Sequence, residues 1–260
     1  MTEEPYRWME AIGNRREYIE HQLAGGSSIA ALTYAEGIVL FTVSRERQKV
    51  FEIYDRIALG AIGHPGDLER LRMSAIELTS AEGFTRSADD VSLRRLATYS
   101  LSPALKAAFE QIYGPPFLAR LLFVELGRGT LPNLFLRLEY DGSMHTSGGS
   151  FGRAFEDFGV VAGTSAATGL MERFLRERVK PTASLAEALD LAADAWAVGQ
   201  IAAADSDRQE LPEAGQIAEF RTRHFAEASL EAAILDRQSP VRVTYRSLPE
   251  GEVRSLLPAR

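Results

Sequence analysis

Apolar residues along this chain fall first into short runs and only later into helical stripes. Residues 28–34 and 38–43 are filled by β-branched and aliphatic side chains, and Ala35-Glu36-Gly37 between them supplies the glycine a tight turn needs. That spacing predicts two antiparallel strands. A second pair, 50–54 and 57–62, turns at Asp55-Arg56 and runs through Gly63 into a helix beginning near Pro65. Ahead of the first strand, Trp8, Ile12, Ile19 and Leu23 recur at helical spacing within 6–23, with charged residues opposite, which predicts an amphipathic helix.

Further along, Leu68, Leu71, Ala75, Ile76 and Leu78 predict a helix over 66–82, and a second begins after Asp89-Asp90, whose carboxylates complement its dipole. Pro103 is expected to kink or punctuate the second helix, because its ring removes a donor and crowds the preceding turn. The apolar pattern nonetheless resumes through Leu105, Ala108, Phe109 and Ile112. Residues 118–125 and 134–140 read as strands, with Asp141-Gly142 as a hairpin turn. A strand is expected at 158–162 and helices at 165–178 and 184–203, with Thr164-Ser165 as an N-cap. The polar stretch 204–226 reads as a connector. Strands at 229–235 and 241–245 and a short helix after Pro249 close the chain. Strands grouped in hairpins, with helices arriving in pairs, predict an α+β fold: a four-layer αββα sandwich of two stacked antiparallel sheets between helix layers.

Composition narrows the chemistry. With 260 residues, 45% of them hydrophobic and 25% charged, the chain can bury a sizeable core in one large domain or two small ones. It has no cysteine, which excludes disulfides and thiolate metal sites and fits a reducing compartment. A formal charge of −7 argues against general nucleic-acid binding, since phosphate neutralisation needs surplus Lys and Arg. No apolar run approaches a membrane span, and MTEEPYRWME is acidic where a signal peptide would be basic and then apolar, so a soluble cytoplasmic protein is expected. His21, His64, His145 and His224 show no metal-ligand spacing, and no cofactor is expected. GSMHTSGGSFG, 142–152, has the glycines of a phosphate loop without its Lys-Ser/Thr pair, and reads as a flexible hairpin insertion within 144–156.

In order along the chain, QKVFEIYDRIALGAIG (48–63), LEYDGS (138–143), FGVVAGTSAATGLM (158–171) and ASLEAAILDRQSPVRVTYRSLPEGEVRSLL (228–257) resemble the proteasome subunit family, and most closely its bacterial α-type subunits. The resemblance implies the N-terminal-nucleophile hydrolase fold. It divides the chain into a gate segment and α-type helix (1–26), the αββα core (27–203), the connector (204–226) and a closing strand pair and helix (227–260). It also implies a non-catalytic subunit of a seven-membered outer ring, stacked on catalytic β-type subunits. Such a ring gates entry of unfolded proteins through its N-terminal residues, here Thr2, Glu3, Glu4, Pro5 and Tyr6, and docks the C-terminal tails of a ring-shaped ATPase or other activator.

An N-terminal-nucleophile enzyme instead needs a hydroxyl or thiol residue freed by cleavage at the head of the first strand, its own amine serving as base. Gly26-Ser27 occupies that place, and self-processing with Ser27 as nucleophile is one alternative reading, a ring scaffold of the same fold without a protease partner being the other. By resemblance, catalytic subunits support the nucleophile with an Asp and a Lys. Lys49 matches the Lys, but Val43 stands where the Asp would be. In α-type subunits the matching Lys pairs with an activator's terminal carboxylate, and Gly63 matches a glycine that leaves room for that tail. Two further pocket positions depart from the family: His64 stands where Lys is typical and Glu20 aligns with a common Arg, and each makes the pocket less positive.

Overall fold

Successive residues of each central strand enter different cores, which is why almost the whole of those strands is buried. A computed structural model describes residues 4–44, 47–146, 157–205 and 208–258. In β1 (Ile29–Tyr34), Ala30, Leu32 and Tyr34 pack against a helix layer, whereas Ile29 and Ala31 pack against the other sheet. β2 (Gly37–Ser44) repeats this, with Val39, Phe41 and Val43 outward and Ile38 and Leu40 inward. Strands covered on both faces read as continuous apolar runs, which is the pattern of the sequence.

Two five-stranded antiparallel sheets result. With β8 (Phe158–Val161), β9 (Ser229–Asp236) and β10 (Tyr245–Leu248), the first runs β10-β9-β2-β1-β8. The second runs β3-β4-β5-β6-β7, built from β3 (Val50–Tyr54), β4 (Ile57–Gly63), β5 (Ala119–Glu125), β6 (Leu134–Leu138) and β7 (Met144–Thr146). Helices α5 (Ser165–Arg176), α6 (Leu185–Ala204) and α8 (Glu250–Leu256) cover the first sheet. Helices α2 (Pro65–Thr85), α3 (Leu93–Leu96) and α4 (Ser102–Glu110) cover the second. This is the four-layer αββα sandwich that the order of elements predicts.

Helix α1 (Glu4–Leu23) is fastened to one end of the sandwich by its second half. Ile19 and Leu23 pack on Phe109 and Tyr140, and the Arg15 guanidinium donates to the carbonyls of Ala108 (2.9 Å) and Gly114 (2.8 Å) at the end of α4. Its first half carries Trp8 and Met9, 48% and 65% exposed, so the predicted stripe is covered by this chain only over Ile19 and Leu23 and half-covered at Ile12.

Several expectations are refined. Between α3 and α4 lies a π-helical turn, Ala97–Leu101, and Pro103 sits directly after it in the first turn of α4, so the irregular turn falls where the proline removes a donor. The expected 241–245 strand forms later, at β10, because 237–244 makes a turn held to its neighbours: Asp236 donates to Thr244, Thr244 donates to the Asp55 carbonyl (2.8 Å), and Arg242 pairs with Asp55 and Asp89. The expected insertion opens as strand β7, whose Met144 to Thr146 pair with β6, and residues 147–156 lie outside the described ones.

The polar stretch 204–226 needs correction as a connector, because it contains helix α7 (Ala214–Phe225). Its inner face is polar enough to hide the helical period. Arg221 is 3% exposed, paired with Asp190 (2.7 Å) and with Asp194 of α6. Ile217, Phe220 and Phe225 complete the contact, and Glu213 with Gln216 forms a capping box at the start.

Candidate functional site

One cleft of about 1250 Å³ opens where β1 begins and β3 and β4 approach α7. Its lining includes Ser27, Val43, Lys49, Gly63, Trp196 and Arg223. Small-molecule pockets usually enclose roughly 300–1000 Å³. A larger open cleft suits a length of extended peptide.

At its floor, the Ser27 hydroxyl donates to the Val43 carbonyl (2.7 Å) and accepts the indole N–H of Trp196 (2.9 Å). Both hydroxyl functions are thereby used within the fold. Backbone continues from α1 through Gly26, whose N–H reaches the Leu23 carbonyl (2.9 Å) and where a Cβ would stand 2.1 Å from Ile62 Cγ2. Glycine is required there by packing alone. Val43 points into the helix-side core and brings no carboxylate to Ser27.

Lys49 is half-buried at the mouth of β3. Burial lowers its amine pKa below the ordinary 10.5, with the Glu231 carboxylate opposing the change. The Glu231 carboxylate is bonded to backbone. Residue 231 faces between the sheets by the alternation of β9, and its carboxylate accepts the backbone N–H groups of Lys49 (2.9 Å) and Val50 (2.8 Å). Burial raises the Glu231 pKa, and those two N–H donors and the Lys49 charge act against the rise. Among the described residues no ion pair involves the Lys49 amine; the Glu231 carboxylate that attracts it caps the strand instead.

Gly63 lines the same cleft, but its glycine requirement comes from the fold. With φ at 148° and a Cβ position 1.9 Å from the Leu118 carbonyl oxygen, only glycine closes the pairing of β4 with β5. The other two expected pocket residues lie apart from the lining. His64 is exposed and caps α2, its Nδ1 accepting the Gly66 N–H at 3.3 Å. Glu20, on α1, receives the Arg120 guanidinium (2.6 Å) and the Tyr140 hydroxyl (2.7 Å). Of the gate residues, Thr2 and Glu3 lie outside the described residues; Glu4, Pro5 and Tyr6 begin α1, their side chains outside the description.

Arg120 centres the other concentration of charge. Its side chain is 2% exposed and bonds Glu20, Glu139 (2.8 Å) and the carbonyls of Ala162 and Gly163, tying α1, β5 and the head of α5 together. Burial opposes its charge, but Glu139 and Glu20 outweigh burial and hold the pKa above its usual value. Sequence reading missed this arginine, and it missed Trp196, Arg223 and Glu231. A lone carboxylate inside the apolar run of β9, and a lone arginine inside that of β5, were the available signals.

Among the described residues no group of His, Asp and Glu is placed to hold a metal, and no helix is long and apolar enough to cross a membrane. No protein-family model matches the chain. Curated relatives do. The proteasome subunit alpha of Kineococcus radiotolerans is 31% identical over 250 residues, covering 95% of this chain and 94% of that one. Those of Streptomyces coelicolor and Mycobacterium leprae are each 30% identical, over 95% and 93% of this chain and 87% and 83% of theirs. At that identity over nearly the full length of both partners, this chain belongs to the proteasome α-subunit family.

Proposed function

We propose that this chain is a non-catalytic subunit of the outer ring of a cytoplasmic proteasome core particle. Seven copies stack on a ring of catalytic β-type subunits, gate the entry of unfolded proteins and dock the C-terminal tails of a ring-shaped ATPase or other activator. The observation that carries this reading is a Lys49 without an ion-pair partner among the described residues, lining one cleft with a Ser27 whose hydroxyl is already bonded on both sides. A lysine in no ion pair among the described residues is ready for a carboxylate brought by a partner, and terminal carboxylates are commonly captured in such clefts. Gly63 gives the incoming backbone room, and neighbouring subunits would cover Trp8 and Met9 of α1. His64, next to the cleft-lining Pro65, and Glu20 modulate docking from outside the lining.

Replacing Lys49 by Ala should abolish activator-stimulated degradation by the assembled particle while basal peptide hydrolysis persists. One sheltered charge-assisted contact is worth about 1.5–3 kcal/mol, and repetition around a ring multiplies its weight. Lys49→Arg should rescue poorly, since the planar head differs in shape from an ammonium. Loss of basal hydrolysis in Lys49→Ala would instead make the lysine catalytic and overturn the assignment.

The residues Thr2, Glu3, Glu4, Pro5 and Tyr6 form the gate in this reading, being short, acidic and stiffened by Pro5. Deleting them should raise hydrolysis of unfolded proteins with a smaller effect on short peptides. Equal rates for the deleted and intact particles would remove the gate.

A further inference from the structure

The docking cleft has two walls, and its second wall is the helix that the sequence hides. On this basis, which rests on the docking reading above, we infer that Arg223 of α7 is a specificity residue. It selects activator tails that carry an acidic side chain upstream of the terminal carboxylate held by Lys49.

Three observations lead there. The first is local charge. The chain is acidic overall, at −7, yet among the described residues the cleft is lined by three cationic side chains, Arg47, Lys49 and Arg223, against the carboxylates of Glu69 and Glu227. Glu69 is already held by Arg72 through two bonds of 2.9 and 2.7 Å. The positive excess inside an acidic protein calls for an occupant with more than one negative charge.

Rigidity is the second. Arg221, two positions before Arg223, is buried against Asp190 and Asp194, and two residues along a helix turn the side chain by roughly 200°. Fixing Arg221 inward therefore turns Arg223 outward, where it is exposed and lines the cleft. The end of α7 is held further by the His224 ring stacked on Phe220, centroids 3.8 Å apart, and by Trp196 at 5.8 Å from Phe220. Trp196 is also the donor to Ser27, so the arginine wall and the cleft floor are one connected piece.

The third is position. Lys49 immediately precedes β3 and Arg223 lies on α7, so the two cations enter one cleft of about 1250 Å³ from different elements, and an extended tail meets them as two separate contacts. Among the described residues no ion pair joins Arg223 to Glu227, four positions on.

The test uses the assembled α/β particle and fluorescein-labelled eight-residue peptides in anisotropy titrations at low salt. One peptide has a free C-terminus and an upstream Glu, a second has Gln there, and a third is the Glu peptide with an amidated terminus. We expect the Glu peptide to bind about three- to fivefold more tightly than the Gln peptide, the scale of one exposed ion pair. Raised salt should shrink the difference. Arg223→Ala should erase that preference without changing Gln-peptide affinity, and Arg223→Glu should reverse it. If Arg223→Ala keeps the Glu preference, or no preference exists while Lys49→Ala and amidation both weaken binding, the inference about Arg223 falls and docking at Lys49 stands. If amidation and Lys49→Ala change nothing, the docking reading itself falls.

Discussion

Arg120 and Lys49 are both cations half or wholly withdrawn from water, and the protein treats them in opposite ways. Arg120 has two carboxylates and two carbonyls within bonding distance, recruited from α1, β6 and the β8–α5 turn. Lys49 has one carboxylate nearby, Glu231, and the fold spends it on two backbone N–H groups. The direction of each pKa follows: above the usual value for Arg120, below it for Lys49. A fully bonded buried charge is a structural clamp, whereas one left partly desolvated and unpaired at a cleft is a cost the fold carries for something it binds. That contrast separates the part of the molecule that holds α1 in place from the part that meets a partner.

The largest expected effect tests the clamp. Arg120→Met removes the common partner of Glu20 and Glu139 and leaves both carboxylates partly buried, a change that typically costs about 3–5 kcal/mol. Thermal denaturation should show a large fall in Tm. Because Glu20 lies on α1, hydrogen exchange should also rise in the second half of that helix. A shift in Tm no larger than that of a surface substitution would show that the buried network does not carry the load ascribed to it.

How much of this was legible in the sequence divides along the same line. Central strands were readable because both faces are apolar: β1, β2 and β4 appear where the apolar runs at 28–34, 38–43 and 57–62 placed them. The family resemblance put Lys49 and Gly63 in one pocket and the chain order put Ser27 at the head of the first strand, and all three line the cleft. Helix α7 was lost because its buried face uses Arg221 as much as Ile217, and hydrophobic periodicity does not register an arginine neutralised by Asp190 and Asp194. Its signature was instead Glu213 and Gln216 at capping-box spacing. The pairing of Glu20 with Arg120, 100 residues apart, left no local trace, since only the folded sandwich brings the end of α1 to the edge of β5.

The smaller and more discriminating effect concerns Lys49, and its sign should be opposite. A lysine whose folded pKa lies below 10.5 disfavours its own charged form in the folded state, and burial is the larger cause, outweighing the attraction of Glu231. At neutral pH the amine is protonated in the unfolded chain, so the charge costs folding stability. As pH rises through the folded pKa toward 10.5, the folded state releases its proton first, the unfolded state binds more protons, and stability gains. Lys49→Met keeps the stem and removes the ammonium. The variant should therefore melt slightly above the parent near pH 7, and the gap should narrow toward pH 10, while Arg120→Met melts below the parent throughout. Melting curves of the assembled particle at pH 7 and pH 10 decide it. A Lys49→Met variant that is less stable than the parent at pH 7 would mean the amine has a favourable partner within the fold, and the contrast between clamp and docking charge would no longer hold.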